Sequence, residues 1–194
     1  MSPPPSIVPN WDDLFELASA QEGYFTTEQA AEVGYSPQLI AHYLRARQFT
    51  RARRGVYRIV HFPAGEHEEL AVIWLWSERI GTFSHETALA LHGLSDVLPA
   101  RVHLTLPSEW KRRRLRVPDD VMLHFADVSP RERAWFGAVP ATSAGRTLND
   151  SARSGLSPEL LQQAARQALR RGLVTKTELA DVETALKPFG GILI

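Results

Sequence analysis

The stretch TTEQAAEVGYSPQLIAHYLR, Thr26–Arg45, followed by ARQFTRARRGVYRI, Ala46–Ile59, decides the fold. Thr26 followed three residues on by Gln29 is a capping-box start, because the hydroxyl and the side-chain amide can each satisfy a backbone N–H that a helix leaves unpaired. The helix it opens should end near Val33, with Gly34 as a natural C-terminal stop. Ser36 ahead of Pro37 places a hydroxyl N-cap before a proline at the first helical position, which predicts a further helix to about Arg47. The turn between the two helices is then Gly34 to Ser36, short enough for a helix-turn-helix. After Gln48 the pattern changes to alternation, Phe49 to Ala52 and Val56 to Val60, around the turn Arg53, Arg54, Gly55. A hairpin directly after a helix-turn-helix is a wing, so the expectation is a winged helix-turn-helix.

Working outward, Trp11, Leu14, Phe15 and Ala18 repeat at helical spacing before Gly23, giving a first helix. Residues 1–10, rich in proline and lacking the basic and apolar regions of a secretory signal, read as a disordered lead. Pro63 to Gly65 reads as a linker, which assigns residues 11–63 to the winged domain and 66–194 to a second one. In the second, helices are expected at Glu66 to Ile80, Ser84 to His92, Thr142 to Ala152, Ser157 to Arg171 and Thr175 to Leu186. Strands are expected at Arg101 to Leu106 and Val121 to Phe125, with a weaker one at Leu115 to Val117. The fold class is therefore α+β: an N-terminal winged helix-turn-helix followed by a mixed helical domain around a small β-sheet. The most apolar run, Leu70 to Trp76, is far short of the ~20 residues a membrane span needs. With no cysteine there is no disulfide framework and no thiolate chemistry, as suits a cytoplasmic protein.

The 22 basic and 22 acidic side chains cancel, so any case for nucleic acid rests on where the charges lie. Between Glu32 and Glu66 there is no acidic residue, while Arg45, Arg47, Arg51, Arg53, Arg54 and Arg58 all fall there. The compensating acids, Asp12, Asp13, Glu16, Glu22, Glu28 and Glu32, lie on the first two helices, so the domain is polarised. On the third helix Gln38, Ala41, His42 and Arg45 share one face, while Leu39, Ile40, Tyr43 and Leu44 occupy the other. Arginine can fork onto guanine O6/N7, glutamine can bridge adenine N6/N7, and a small alanine permits close approach, a composition suited to a major groove. The expected DNA-binding set is Ser36, Gln38, His42, Arg45, Arg47, Arg51, Arg53, Arg54 and Arg58, with Arg53 and Arg54 at the wing tip and Tyr57 and Ile59 turned inward.

These residues also resemble a known family. The order Thr26-Thr27-Glu28-Gln29-Ala30-Ala31, Gly34-Tyr35-Ser36, Leu39, Leu44 and Arg53-Arg54-Gly55-Val56-Tyr57-Arg58 is similar to the N-terminal domain of the AbiEi-type antitoxins. Ser84-His85-Glu86-Thr87-Ala88-Leu89-Ala90-Leu91-His92-Gly93-Leu94, Val139-Pro140-Ala141-Thr142 and Arg146-Thr147-Leu148-Asn149-Asp150 resemble their second domain, so the likeness runs from about Trp11 to Leu186. It implies a transcriptional repressor that binds double-stranded DNA at its own promoter, at repeated sites, and serves as antitoxin to a nucleotidyltransferase-like toxin in a bacterial type IV operon. Some relatives carry an added nuclease-like C-terminal domain, for which this sequence leaves no room after Leu186; a regulator is expected rather than an enzyme.

Candidates for chemistry are weak by spacing. His85-Glu86 begins a zinc-protease pattern, but Leu89 stands where the second histidine is required, and His67-Glu68 meets Ala71 there. His85 and His92 would lie about 10.5 Å apart along a helix, too far for one ion. Glu109-Trp110-Lys111 has an acid-x-lysine form without a preceding strand aspartate, and reads as a turn after the strand ending at Leu106. No catalytic residue, metal ligand or cofactor is assigned. Lys111, Arg112, Arg113, Arg114 and Arg116 form a second basic block that could hold DNA, RNA or an acidic partner, or simply protect an edge. An alternative reading of the whole protein is therefore a basic interaction module gripping a protein or RNA.

Overall fold

A computed structural model describes residues 8–192. Residues 1–7 of the expected disordered lead lie outside the described residues; Asn10 caps the first helix, its side chain accepting from the N–H groups of Asp12 (3.0 Å) and Asp13 (3.4 Å). The class is α+β, as expected, with contacts dividing the chain into two compact units. The first comprises residues up to Arg79 with Gly137–Val139; the second comprises Ile80–Phe136 and Pro140 onward.

The first unit contains α1 (Trp11–Ser19), β1 (Tyr24–Thr26), α2 (Thr27–Glu32), α3 (Pro37–Arg45), β2 (Phe49–Arg53), β3 (Val56–Ile59) and α4 (Glu68–Trp76). The capping box forms as its residues dictate: Thr26 Oγ1 accepts from Gln29 N–H at 3.1 Å, and Gln29 Oε1 accepts from Thr26 N–H at 3.0 Å. Gln29 is buried, and its amide also pairs with that of Gln21 at 2.8 and 3.3 Å. Ser36 Oγ accepts from Leu39 N–H at 3.2 Å and starts α3 at Pro37. The sheet runs β1-β3-β2, antiparallel throughout, with Phe25 opposite Tyr57 and Arg51 opposite Tyr57 on the other side.

Alternation then sends Phe25, Tyr57 and Ile59 into a core shared with Leu14, Tyr35, Ile40 and Phe49. Phe49 is the hub, with ring centroids 4.9 Å from Phe25 and 4.9 Å from Tyr43. Gly55 takes φ +79° at the hairpin turn, a left-handed conformation that a side chain would strain. Its carbonyl accepts from Thr27 N–H at 2.9 Å, which ties the hairpin to the start of α2.

The chain divides at Arg79/Ile80 rather than at Pro63–Gly65, so α4 belongs with the first unit. The reason is specific: Glu68 on α4 accepts from Arg58 at 2.6 Å, from Gly65 N–H at 3.2 Å and from Tyr24 OH at 3.4 Å. These bonds bind the helix to β1 and β3 across the apparent linker. The helix is also shorter than the expected Glu66 to Ile80.

The second unit contains β4 (Thr82–Phe83), α5 (His85–Leu91), β5 (Val102–Leu106), β6 (Val121–Phe125), β7 (Arg133–Phe136), β8 (Val139–Thr142, all but its first residue), α6 (Ala144–Arg153), α7 (Pro158–Arg170) and α8 (Ala180–Leu186). The sheet order is β6-β5-β4-β8-β7, with β5 parallel to β6 and antiparallel to β4. Leu115 to Val117 is not a strand; β5 pairs directly with β6, and the basic segment runs as an irregular connection between them. Thr142 ends a strand instead of opening a helix, and α6 begins at Ala144. The helical core gathers Leu89, Leu148, Leu161, Ala165, Val182 and Leu186 around the small residues of α7. No helix among the described residues is long and apolar enough to cross a membrane.

Candidate nucleic-acid interface

The inward side of α3 is fixed by packing: Ile40 is fully buried, and Leu39, Tyr43 and Leu44 are partly buried against the same core. That pins the rotation of the helix and leaves Ser36, Gln38, His42 and Arg45 exposed. His42 and Arg45 lie in its last turn, where positive charge complements the carbonyl end of the helix dipole. Arg47, just past the helix, is exposed with φ +56°, a left-handed residue that turns the chain toward β2.

On the hairpin the arginines separate by what holds them. Arg51 is exposed along its strand but lies against Tyr57, its guanidinium 5.6 Å from the ring centroid and donating to the phenol oxygen at 3.3 Å. Arg54 is exposed at the turn, and Arg53 is half-buried beside it. A bulge between Arg51 and Arg53 twists this end of the hairpin.

Arg58 has a different task. Being next to inward Tyr57, it points to the opposite sheet face, where α4 waits. There its side chain is only 18% exposed, ion-paired with Glu68, bonded to Phe62 O at 3.0 Å, and stacked 5.6 Å from the centre of the Tyr24 ring. Burial pushes the Glu68 carboxyl up, but Gly65 N–H, Arg58 and Tyr24 outweigh it and hold Glu68 below the usual carboxylate range. Arg58 thus has its charge met by a carboxylate of α4, unlike the exposed Arg45, Arg47, Arg51 and Arg54.

In the second unit Lys111, Arg112, Arg113, Arg114 and Arg116 are all exposed. Glu109-Trp110-Lys111 lies in a 3-10 turn over Ser108–Arg112 that follows β5, with Trp110 buried and the Arg113 guanidinium 3.7 Å above its ring. His85 and His92 do not converge: His92 Nε2 meets Thr142 O at 2.8 Å. What spacing along one helix did not reveal is that His85, His103 and His124, from three different elements, offer ligand atoms within 4.8 Å of one another.

None of the curated proteins compared with this chain matches it. Among solved structures, the crystal structure of the RV2827C protein from Mycobacterium tuberculosis aligns with 92% of this chain and 76% of its own, at 15% identity and a TM-score of 0.47. The family matched by residues 12–60, a span running from α1 through the hairpin, is that of the transcriptional regulators described as AbiEi antitoxins.

Proposed function

We propose that the first unit is a winged helix-turn-helix and that the protein is a cytoplasmic, sequence-specific DNA-binding repressor of its own operon. In this reading α3 enters the major groove, with Gln38, His42 and Arg45 facing base edges and Ser36 near the backbone. Arg47, Arg51, Arg53 and Arg54 meet phosphates or the neighbouring minor groove. The observation that carries the reading is that the acid-free stretch between Glu32 and Glu66 exposes Gln38, His42, Arg45, Arg47, Arg51 and Arg54, backed by a helix face locked into an aromatic core. The family matched by residues 12–60 is one of regulators, which supports a non-enzymatic role. By resemblance, the protein is the antitoxin to a nucleotidyltransferase-like toxin, and the exposed block Lys111–Arg116 is a second surface for DNA or an acidic partner.

The test is a titration of the full chain, at fixed salt, with a duplex from its own upstream region and with a scrambled duplex of equal length. A specific repressor should prefer the first by roughly a thousandfold or more. Equal affinities would overturn the reading and favour a basic module that grips protein or RNA.

A further inference from the structure

The register of the second unit's sheet brings distant histidines together. His103 and Thr105 share one face of β5, and Thr105 stands opposite His124 of β6, so His124 lies diagonally across from His103 on that face. His85 opens α5 over the same face. It is placed there by Ser84 N–H donating to His103 O at 3.1 Å and by His103 N–H donating to Thr87 Oγ1 at 2.8 Å. His103 Nδ1 and His124 Nε2 face each other at 3.0 Å, and the rings of His85 and His124 stack with centroids 3.7 Å apart.

Two neutral imidazole nitrogens at that separation need a proton between them, or a cation that accepts both lone pairs. Tetrahedral zinc with bonds of about 2.0–2.1 Å sets its ligand nitrogens roughly 3.3 Å apart, close to the His103–His124 spacing. To meet one ion, the three nitrogens, within 4.8 Å of one another, require the near-parallel rings of His85 and His124 to turn until their in-plane lone pairs converge. An outer contact is already in place: His85 Nδ1 lies 2.9 Å from Ser84 Oγ, which accepts from the Thr105 hydroxyl at 2.7 Å, leaving His85 Nε2 for an ion. His85 also sits at φ +51°, an unfavourable conformation for a residue with a side chain, held by the surrounding contacts.

We propose that His85, His103 and His124 bind a single divalent transition ion of the zinc class, with its fourth position open to water or an anion. Three neutral nitrogens without a carboxylate or thiolate select zinc, nickel or copper over magnesium and calcium. Each ring can offer one nitrogen lone pair, and the three nitrogens already lie within 4.8 Å of one another. The nearby Arg146 and Arg153 are ion-paired, with Glu132, Asp150 and Asp181, which offsets their opposition to a cation. The ion would join α5 to β5 and β6.

The experiment uses the full chain, free of any affinity tag and stripped with chelator, titrated separately with Zn²⁺, Co²⁺ and Mg²⁺. One equivalent of zinc should bind and raise the thermal midpoint, cobalt should give the visible absorption of a nitrogen-ligated site, and magnesium should do neither. His124→Ala and His103→Asn should weaken zinc binding by more than the roughly 10–100-fold that losing an outer partner costs, while His92→Ala should bind as wild type. X-ray absorption of the zinc-loaded wild-type protein, which needs no variant to fold, should count three imidazoles at about 2.0 Å. Absence of stoichiometric zinc uptake, unchanged affinity in folded His124→Ala and His103→Asn, or fewer than three imidazoles at the metal would each overturn the site.

Discussion

Arg54 and Arg58 lie four residues apart on one hairpin and look equivalent in sequence, yet replacing each with alanine should do opposite things. Arg54 is exposed at the turn. If it neutralises a phosphate, Arg54→Ala removes one released counterion and flattens the slope of log affinity against log salt by about 0.9. A fourfold rise in salt would then erase about 3.5-fold of the wild type's advantage. Its stability should stay within about 0.5 kcal/mol of wild type, as for an ordinary surface change. Arg58→Ala leaves Glu68, 27% exposed, with only Gly65 N–H and Tyr24 OH as partners. Exposed pairs contribute about 0–1 kcal/mol, and breaking fully buried ones costs about 3–5, so this half-buried pair should cost about 1–2 kcal/mol. Its salt slope should not change. Anisotropy titrations on a DNA duplex at several salt concentrations, alongside urea unfolding, read both quantities. If Arg58→Ala flattened the slope as Arg54→Ala does while its urea midpoint stayed put, the assignment of Arg58 to α4 would be wrong.

Arg45→Ala should cost about 1–3 kcal/mol on the operator and much less on random DNA, measured by paired titrations; equal losses would move Arg45 to the backbone class. Gln29→Ala strips a buried amide from Thr26 N–H and Gln21, and should lower stability by about 2–3 kcal/mol in urea; a loss below about 0.5 would mean that the cap does not hold α2. The Glu68 carboxyl is held below its unfolded value of 4.5, so it contributes stability above that pH and loses it as pH falls through the folded value. The gap in urea midpoint between wild type and Glu68→Gln should therefore be widest near neutrality and shrink in acid, and a gap that persists to pH 3 would point to packing instead.

The first unit was legible where its signals were local. Thr26 with Gln29, Ser36 with Pro37, and Gly55 each specify a conformation through neighbours a few residues away, and each does so here. What escaped was non-local. The three residues of β1 carry too little alternation to announce a strand, and their partner in β3 lies some thirty positions on. The Pro63–Gly65 punctuation hides the contact from Glu68 back to Arg58 and Tyr24, and with it both the membership of α4 in the first unit and the partner of Arg58.

The second unit shows the same limit in sharper form. Basic and apolar alternation suggests a strand at Leu115 to Val117, but the parallel pairing of β5 with β6 needs only that the chain cross between them, and an irregular connection suffices. The histidines could not be grouped by spacing, because helical rules test neighbours on one element, whereas His103 and His124 meet through sheet register and His85 arrives from a helix. A signal was nonetheless present. His103 and His124 interrupt two apolar runs expected as strands, and a polar ring on such a strand must find a partner or remain costly to bury. His103 points to the face where Thr105 also lies, so that face carries two buried polar groups along β5. Following the alternation of both strands to their shared face would have placed the two imidazoles together, and the third comes from the helix whose first turn lies above them.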